Sequence, residues 1–179
     1  NLCKKFKTSN NIIMFASTSK ITFAGAGISF LASSEKVLTN FLKFYDKTRV
    51  GSDKINQAKH AKFFKNKKSL EDHMSKHAVL ISKKFEIVEN YLSKLPPEFG
   101  TWTKPTGGYF VSFDSKPGKA KKIYNLCELA GLKLTKVGAT FPYNKDPHDQ
   151  NIRISPSKIS NSELKKAMEV FIISVMLAG

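Results

Sequence analysis

One apolar stripe constrains this chain more than any other feature. Leu70, Met74, Ala78, Ile81, Phe85, Val88, Leu92 and Leu95 recur at intervals of three and four until Pro96-Pro97 stops the pattern. Such spacing keeps one helical face apolar turn after turn, and it predicts a helix over residues 69–95. At 1.5 Å per residue that helix is about 40 Å long. An element of this length is expected to cross between two domains.

Shorter elements flank it. Ile12 to Ala16 form an apolar run that reads as a buried strand. A polar turn, Ser17 to Lys20, and a segment bearing Gly25 and Gly27 follow it, in the region beyond a strand end where α/β proteins place ligands. Val37, Phe41, Phe44 and Tyr45 predict a helix over 34–48, Arg49 to Asp53 break it, and a shorter helix is expected over about 53–64. Past the prolines, residues 109–113 alternate as a strand after Gly107-Gly108. Residues 119–130 predict a helix with Ile123, Leu126 and Ala130 inward and Gly131 as its cap. Residues 132–137 and 151–154 are further strand candidates. Ser160 and Glu163 have the spacing of a capping box, opening a last helix that buries Leu164, Met168, Phe171 and Val175. Strands alternate with helices, so the class is α/β. No internal repeat and no low-complexity linker interrupts the pattern.

The 179 residues suffice for one packed domain, or for a small domain and a piece of another. The chain does not begin with Met, and Asn1 to Lys7 read as the polar end of an interrupted element, which points to a fragment or processed product. The net charge of +16 raises the question of a nucleic-acid partner. Against it, Arg49 and Arg153 are the only arginines among 30 basic side chains, whereas base reading favours the arginine fork. The lysines recur on polar helix faces, so they are read as solvated surface and nucleic acid is not the expected partner. No stretch of about 18 uncharged apolar residues suggests a membrane span. Cys3 and Cys127 are too few for a disulfide framework, and a reducing, cytoplasmic setting is expected.

Two constellations could carry chemistry. Lys20 stands one turn after Ser17 at a strand end. An amine that forms a Schiff base must lose its proton near neutral pH, and a hydroxyl three residues earlier could hold an anionic part of the same ligand. In a lysine-rich chain the pattern is weak by itself. Arg153 lies inside the apolar run Asn151 to Ile154, where a guanidinium needs a paired anion. Either a structural salt bridge or the bidentate grip on a carboxylate would satisfy it. His73 and His77 have a zinc-compatible spacing, but no Cys, Asp or Glu arrangement completes a site, and they read as an exposed helix pair. Gly25-Ala26-Gly27 lacks the third glycine of a dinucleotide fingerprint and reads as close backbone packing.

The wording of three segments is more specific. FASTSKITFAGAG (Phe15 to Gly27), KPTGGYFVSFD (Lys104 to Asp114) and GATFPYNKDPHDQNIRISPS (Gly138 to Ser157) resemble, in the same order, segments of fold-type I pyridoxal-phosphate aminotransferases. The likeness is strongest to the bacterial aspartate-aminotransferase-like subgroup. It implies that residues 1–75 end the large cofactor-binding domain. Residues 76–179 would form the small C-terminal α/β domain, entered through the helix over 69–95. Lys20 would hold pyridoxal 5′-phosphate as a Schiff base, and its freed amine would move the proton between the substrate α-carbon and the cofactor. Ser17 would bind the phosphate and Arg153 the α-carboxylate. Many members carry an arginine eight residues after the lysine; here that position is Ile28. Arg49 and Lys54 match a substrate-reading loop only loosely, and a plain surface role is preferred for them.

The reaction implied is amino-group transfer between an amino acid, such as aspartate or another acidic or aromatic one, and a 2-oxo acid, in a cytoplasmic homodimer. In the family, the acid facing the pyridine nitrogen and the ring stacked on the cofactor precede the lysine, so this chain alone is expected to be inactive. The rivals are a β-lyase on the same fold and a non-catalytic, lysine-rich nucleic-acid-binding module.

Overall fold

A computed structural model describes residues 2–179, with the backbone alone for Leu2, Lys4 and Ser9, so the reading of Asn1 lies outside the described residues. The chain separates into two compact units, Asn1–Ser75 and Lys76–Gly179. Its helices are α1 (Leu2–Lys5), α2 (Glu35–Thr48), α3 (Lys54–Phe63), α4 (Lys67–Leu92), α5 (Ala120–Leu129) and α6 (Asn161–Ala178). The strands are β1 (Met14–Ser17), β2 (Ser29–Ala32), β3 (Gly100–Trp102), β4 (Val111–Ser115) and β5 (Asn151–Ile154).

In the first unit β1 and β2 pair antiparallel, from Met14 opposite Ala32 to Ser17 opposite Ser29. The run at 12–16 was expected to be a buried strand. It starts two residues later, and Met14 and Phe15 are 62% and 75% exposed. All four residues of β1 are exposed, and in β2 Leu31 is half-buried. β2, which carries no strong alternation, was not anticipated. Asp53 caps α3 by accepting from the Asn56 amide at 2.9 Å. Among the described residues of this unit His60 alone is buried.

Asn66 opens α4: its side chain accepts from the Ser69 amide at 2.9 Å, and the Ser69 hydroxyl donates back to its carbonyl at 2.7 Å. The helix ends at Leu92, and a tighter turn closed by Leu95 N–H to Leu92 O at 2.9 Å leads into Pro96. The stripe is not used evenly. Val88, Leu92 and Leu95 are buried, Leu70, Ile81 and Phe85 half-buried, and Met74 and Ala78 exposed.

The second unit holds the hydrophobic core. β3, β4 and β5 form an antiparallel sheet in that order, with Val111 opposite Ile154 and Phe113 opposite Ile152. Phe113 meets Phe171 of α6 edge to face, ring centres 5.2 Å apart, as aromatic quadrupoles prefer. Residues 109–113 were expected as a strand. β4 begins at Val111 because Gly108, at φ +83°, is still turning the chain.

α5 ends as expected, Gly131 at φ +81° letting its own N–H reach Glu128 O and the Leu132 N–H reach Cys127 O. Ile123 and Cys127 point inward from α5, whereas Ala130 is exposed: it is the C-cap residue, past the last inward turn. Residues 132–137 form no strand. Leu132, Leu134 and Val137 pack on the core as side chains, without a ladder. α6 has the full capping box, Ser160 with Glu163, and buries the four predicted apolar residues.

Candidate active site

Ser17 is the last residue of β1, and Lys20 stands three residues on, in the turn that leaves the strand; both are exposed. The Ser17 hydroxyl oxygen accepts from the Ser19 amide at 3.2 Å, which winds the turn tightly. Thr18 continues the ladder by one rung, its N–H donating to Ile28 O at 2.9 Å while its hydroxyl accepts from the Ile28 N–H at 2.9 Å. The N–H groups of Ile21 and Thr22 both reach Thr18 O at 3.0 Å, closing a helical turn around Lys20. Gly27 is the close backbone approach read from the glycines. A Cβ there would meet Ser19 Cα at 2.8 Å, so a side chain would push the turn open.

The turn is anchored from α3 and from the part of α4 within the same unit. Asn56 donates its side-chain N–H to Ala26 O at 2.8 Å. His60 Nε2 lies 3.2 Å from the Thr18 hydroxyl and 2.9 Å from the Thr22 hydroxyl. His73 Nε2 lies 2.6 Å from Ile21 O. His73 is therefore half-buried and bonded, not one of an exposed histidine pair: Phe63 and Phe64 flank its ring, and a carbonyl occupies its donor. Sequence reasoning missed Thr18, Thr22 and His60, whose contacts span 38 and 42 residues and leave no periodic signal.

Arg153 lies in the second unit, on β5 opposite Ser112. Its guanidinium carbon is 4.6 Å from the Phe110 ring centre. Its Nε is shielded from solvent and has no hydrogen-bond partner, and no ion pair to Arg153 is found among the described residues. It borders an open pocket of about 350 Å³ whose walls include Thr103, Phe110, Thr140 and Phe141. Beside it, Asn151 is nearly buried and fully engaged. It donates to Ser112 Oγ at 2.8 Å and Asp114 Oδ1 at 2.6 Å, and accepts from the Thr140 hydroxyl at 2.8 Å.

The loop before β5 is organised by one carboxylate. Asp146 accepts from the backbone N–H groups of His148, Gln150 and Asn151 at 3.0, 2.8 and 2.7 Å. Burial works against its charge, but these donors hold its carboxyl below the usual range. Chemically, the two places offer an amine with neighbouring hydroxyls in one unit, and a shielded guanidinium donor in the other.

A family profile described as aspartate amino-transferase matches residues 1–179. Among curated proteins, an aspartate aminotransferase of Corynebacterium glutamicum is 37% identical over 172 residues. A Mycolicibacterium smegmatis protein, provisionally described as an aminotransferase, is 43% identical over the same length. Each match covers 95% of this chain and 40% of the relative, so the chain spans two fifths of their length. A crystal structure from Corynebacterium diphtheriae, also provisionally described as an aminotransferase, superposes with a TM-score of 0.92 at 40% identity. It covers 98% of this chain and 44% of that one.

Proposed function

Because the chain belongs to the aspartate amino-transferase family, whose profile spans all of it, we propose that it carries the cofactor lysine and the carboxylate-binding arginine of a pyridoxal-phosphate-dependent aminotransferase. The whole protein would exchange an amino group between an amino acid, aspartate or another acidic or aromatic one, and a 2-oxo acid. The first unit would complete the cofactor-binding domain and the second would be the small domain of a cytoplasmic homodimer.

The observation that carries this reading is Arg153. A guanidinium Nε without a partner, shielded from water and bordering a pocket, is a donor kept for an anion. A structural salt bridge would have left a carboxylate beside it, and none is paired with it among the described residues.

The Lys20 turn suits pyridoxal phosphate by its donors. The hydroxyls of Ser17 and Ser19 and the amine of Lys20 are presented together on one exposed turn, and Gly27 lets that turn fold flat. With Ile28 in place of a second cation, holding the phosphate would rely on Ser17, with Ser19 as the lesser donor, on backbone N–H groups and on residues outside this chain. When bound, the cofactor supplies the electron sink that lets a Cα–H bond break. Lys20 Nζ would take the proton from the substrate α-carbon and pass it to the cofactor within the same half of the cycle, and the other half would run that transfer in reverse. Arg153 would orient the substrate through its α-carboxylate, both fork nitrogens donating.

The test is borohydride reduction of the full-length protein followed by peptide mapping. Pyridoxyl mass is expected on the peptide containing Lys20; finding it on another lysine overturns the assignment. Single-turnover transamination by residues 1–179 alone would likewise contradict the expectation that this part is inactive by itself.

A further inference from the structure

The turn that carries Lys20 is held by two imidazoles that face backbone carbonyls through opposite nitrogens. His60 Nδ1 lies 2.9 Å from Asn56 O. A carbonyl only accepts, so Nδ1 carries a proton, and Nε2 faces the Thr18 and Thr22 hydroxyls. Thr22, at 2.9 Å, is the nearer hydroxyl. His73 Nε2 faces Ile21 O at 2.6 Å, so there Nε2 is the protonated nitrogen. Lys20 thus sits between residues gripped on both sides: Thr18 and Thr22 from α3, Ile21 from α4.

The grip is built, not incidental. His60 is 3% exposed, with Phe23 against its ring edge-on at 5.3 Å. Phe63 contacts both Phe23, at 5.2 Å, and His73, at 5.2 Å. One aromatic cluster therefore locks both imidazoles. In a unit otherwise without buried side chains among its described residues, this is where burial has been concentrated.

We propose that His60 and His73 are positioning residues for Lys20, fixing the turn so that the amine is presented in one direction. Neither touches the reacting atoms; both act through the backbone and hydroxyls next to Lys20. A lysine side chain has four rotatable bonds, so its aim depends on the backbone beneath it being held still. This rests on Lys20 being the cofactor anchor, as proposed above.

The experiment uses the full-length protein with bound pyridoxal phosphate and reads the pH midpoint of the cofactor absorbance, together with kcat, KM and the melting temperature. Thr22→Val removes the nearer hydroxyl partner of His60 with little change of shape, and His73→Leu removes the donor to Ile21 O from the other helix. Each is expected to move the midpoint by about half a pH unit or more and to lower kcat more than it raises KM. His60→Gln, which keeps a hydrogen-bonding partner for Thr22, is expected to stay nearer the unsubstituted midpoint than Thr22→Val does. A folded variant of either kind with unchanged midpoint and kcat, even with a lower melting temperature, overturns the proposal. The two substitutions approach the turn from different elements, so loss of fold in one leaves the other to decide. Absence of cofactor from Lys20 in the unsubstituted protein, seen by borohydride mapping before any variant is made, overturns the functional reading and this proposal with it.

Discussion

At Arg153 the charge, the planar fork and the stacking on Phe110 all belong to one side chain, and substitution can separate them. Arg153→Lys keeps the charge but loses the second donor and the flat face. In the full-length protein it is expected to raise KM for the amino acid about 30-fold, corresponding to about 2 kcal/mol of lost charge-assisted bonding. Steady-state kinetics on both substrates check this, and an unchanged KM removes Arg153 from the carboxylate role. The residue could be picked out because arginine is scarce here and sits in an apolar run. His60 gave no such signal: its Thr18 and Thr22 partners lie about forty residues upstream, and nothing local marks it as buried.

Among elements, the loop 146–151 shows how a strand is delivered to its place. Three backbone donors converge on Asp146, and the last belongs to Asn151, the first residue of β5. Asp146→Ala is expected to destabilise the protein by about 1–3 kcal/mol, since three donors lose a charged acceptor. The pH dependence follows from the lowered carboxyl of the folded state. Its contribution is complete above the ordinary aspartate value of about 4 and is lost as pH falls through the lower, folded value. Denaturant unfolding between pH 5 and 3 should therefore lose stability less steeply in Asp146→Ala than in the unsubstituted protein. Equal slopes would mean that this carboxylate does not hold the loop.

Elements with caps were legible from sequence. The capping box at Ser160 and the glycine stop at Gly131 both formed, because their partners lie within five residues. Residues 132–137 alternate only as far as Leu134 and made no strand, since a ladder also needs a neighbouring edge that local pattern cannot supply.

At the scale of the whole chain, the two units differ in what holds them. Fifteen hydrophobic residues are buried in the second unit, whereas among the described residues the first buries only His60. Opening free energies should follow that contrast. Hydrogen exchange on residues 1–179 is expected to be about tenfold or more faster in peptides from 14–63 than in those from 111–127 and 164–178. Denaturation should show two transitions, the first from the first unit. One coincident transition with uniform protection would contradict this account.

What the amino-acid sequence determined by itself was everything that depends on near neighbours. That includes the long helix and its proline stop, the caps, β5 with its half-buried arginine, and the turn that carries Lys20. Tertiary structure alone decided which part of the α4 stripe meets a core, that β1 is exposed on both faces, and that two histidines grip the Lys20 turn. The physical reason is range. Periodicity and capping act over a few residues of chain, while burial and the pairing of buried polar groups depend on partners that the fold brings together from distant positions.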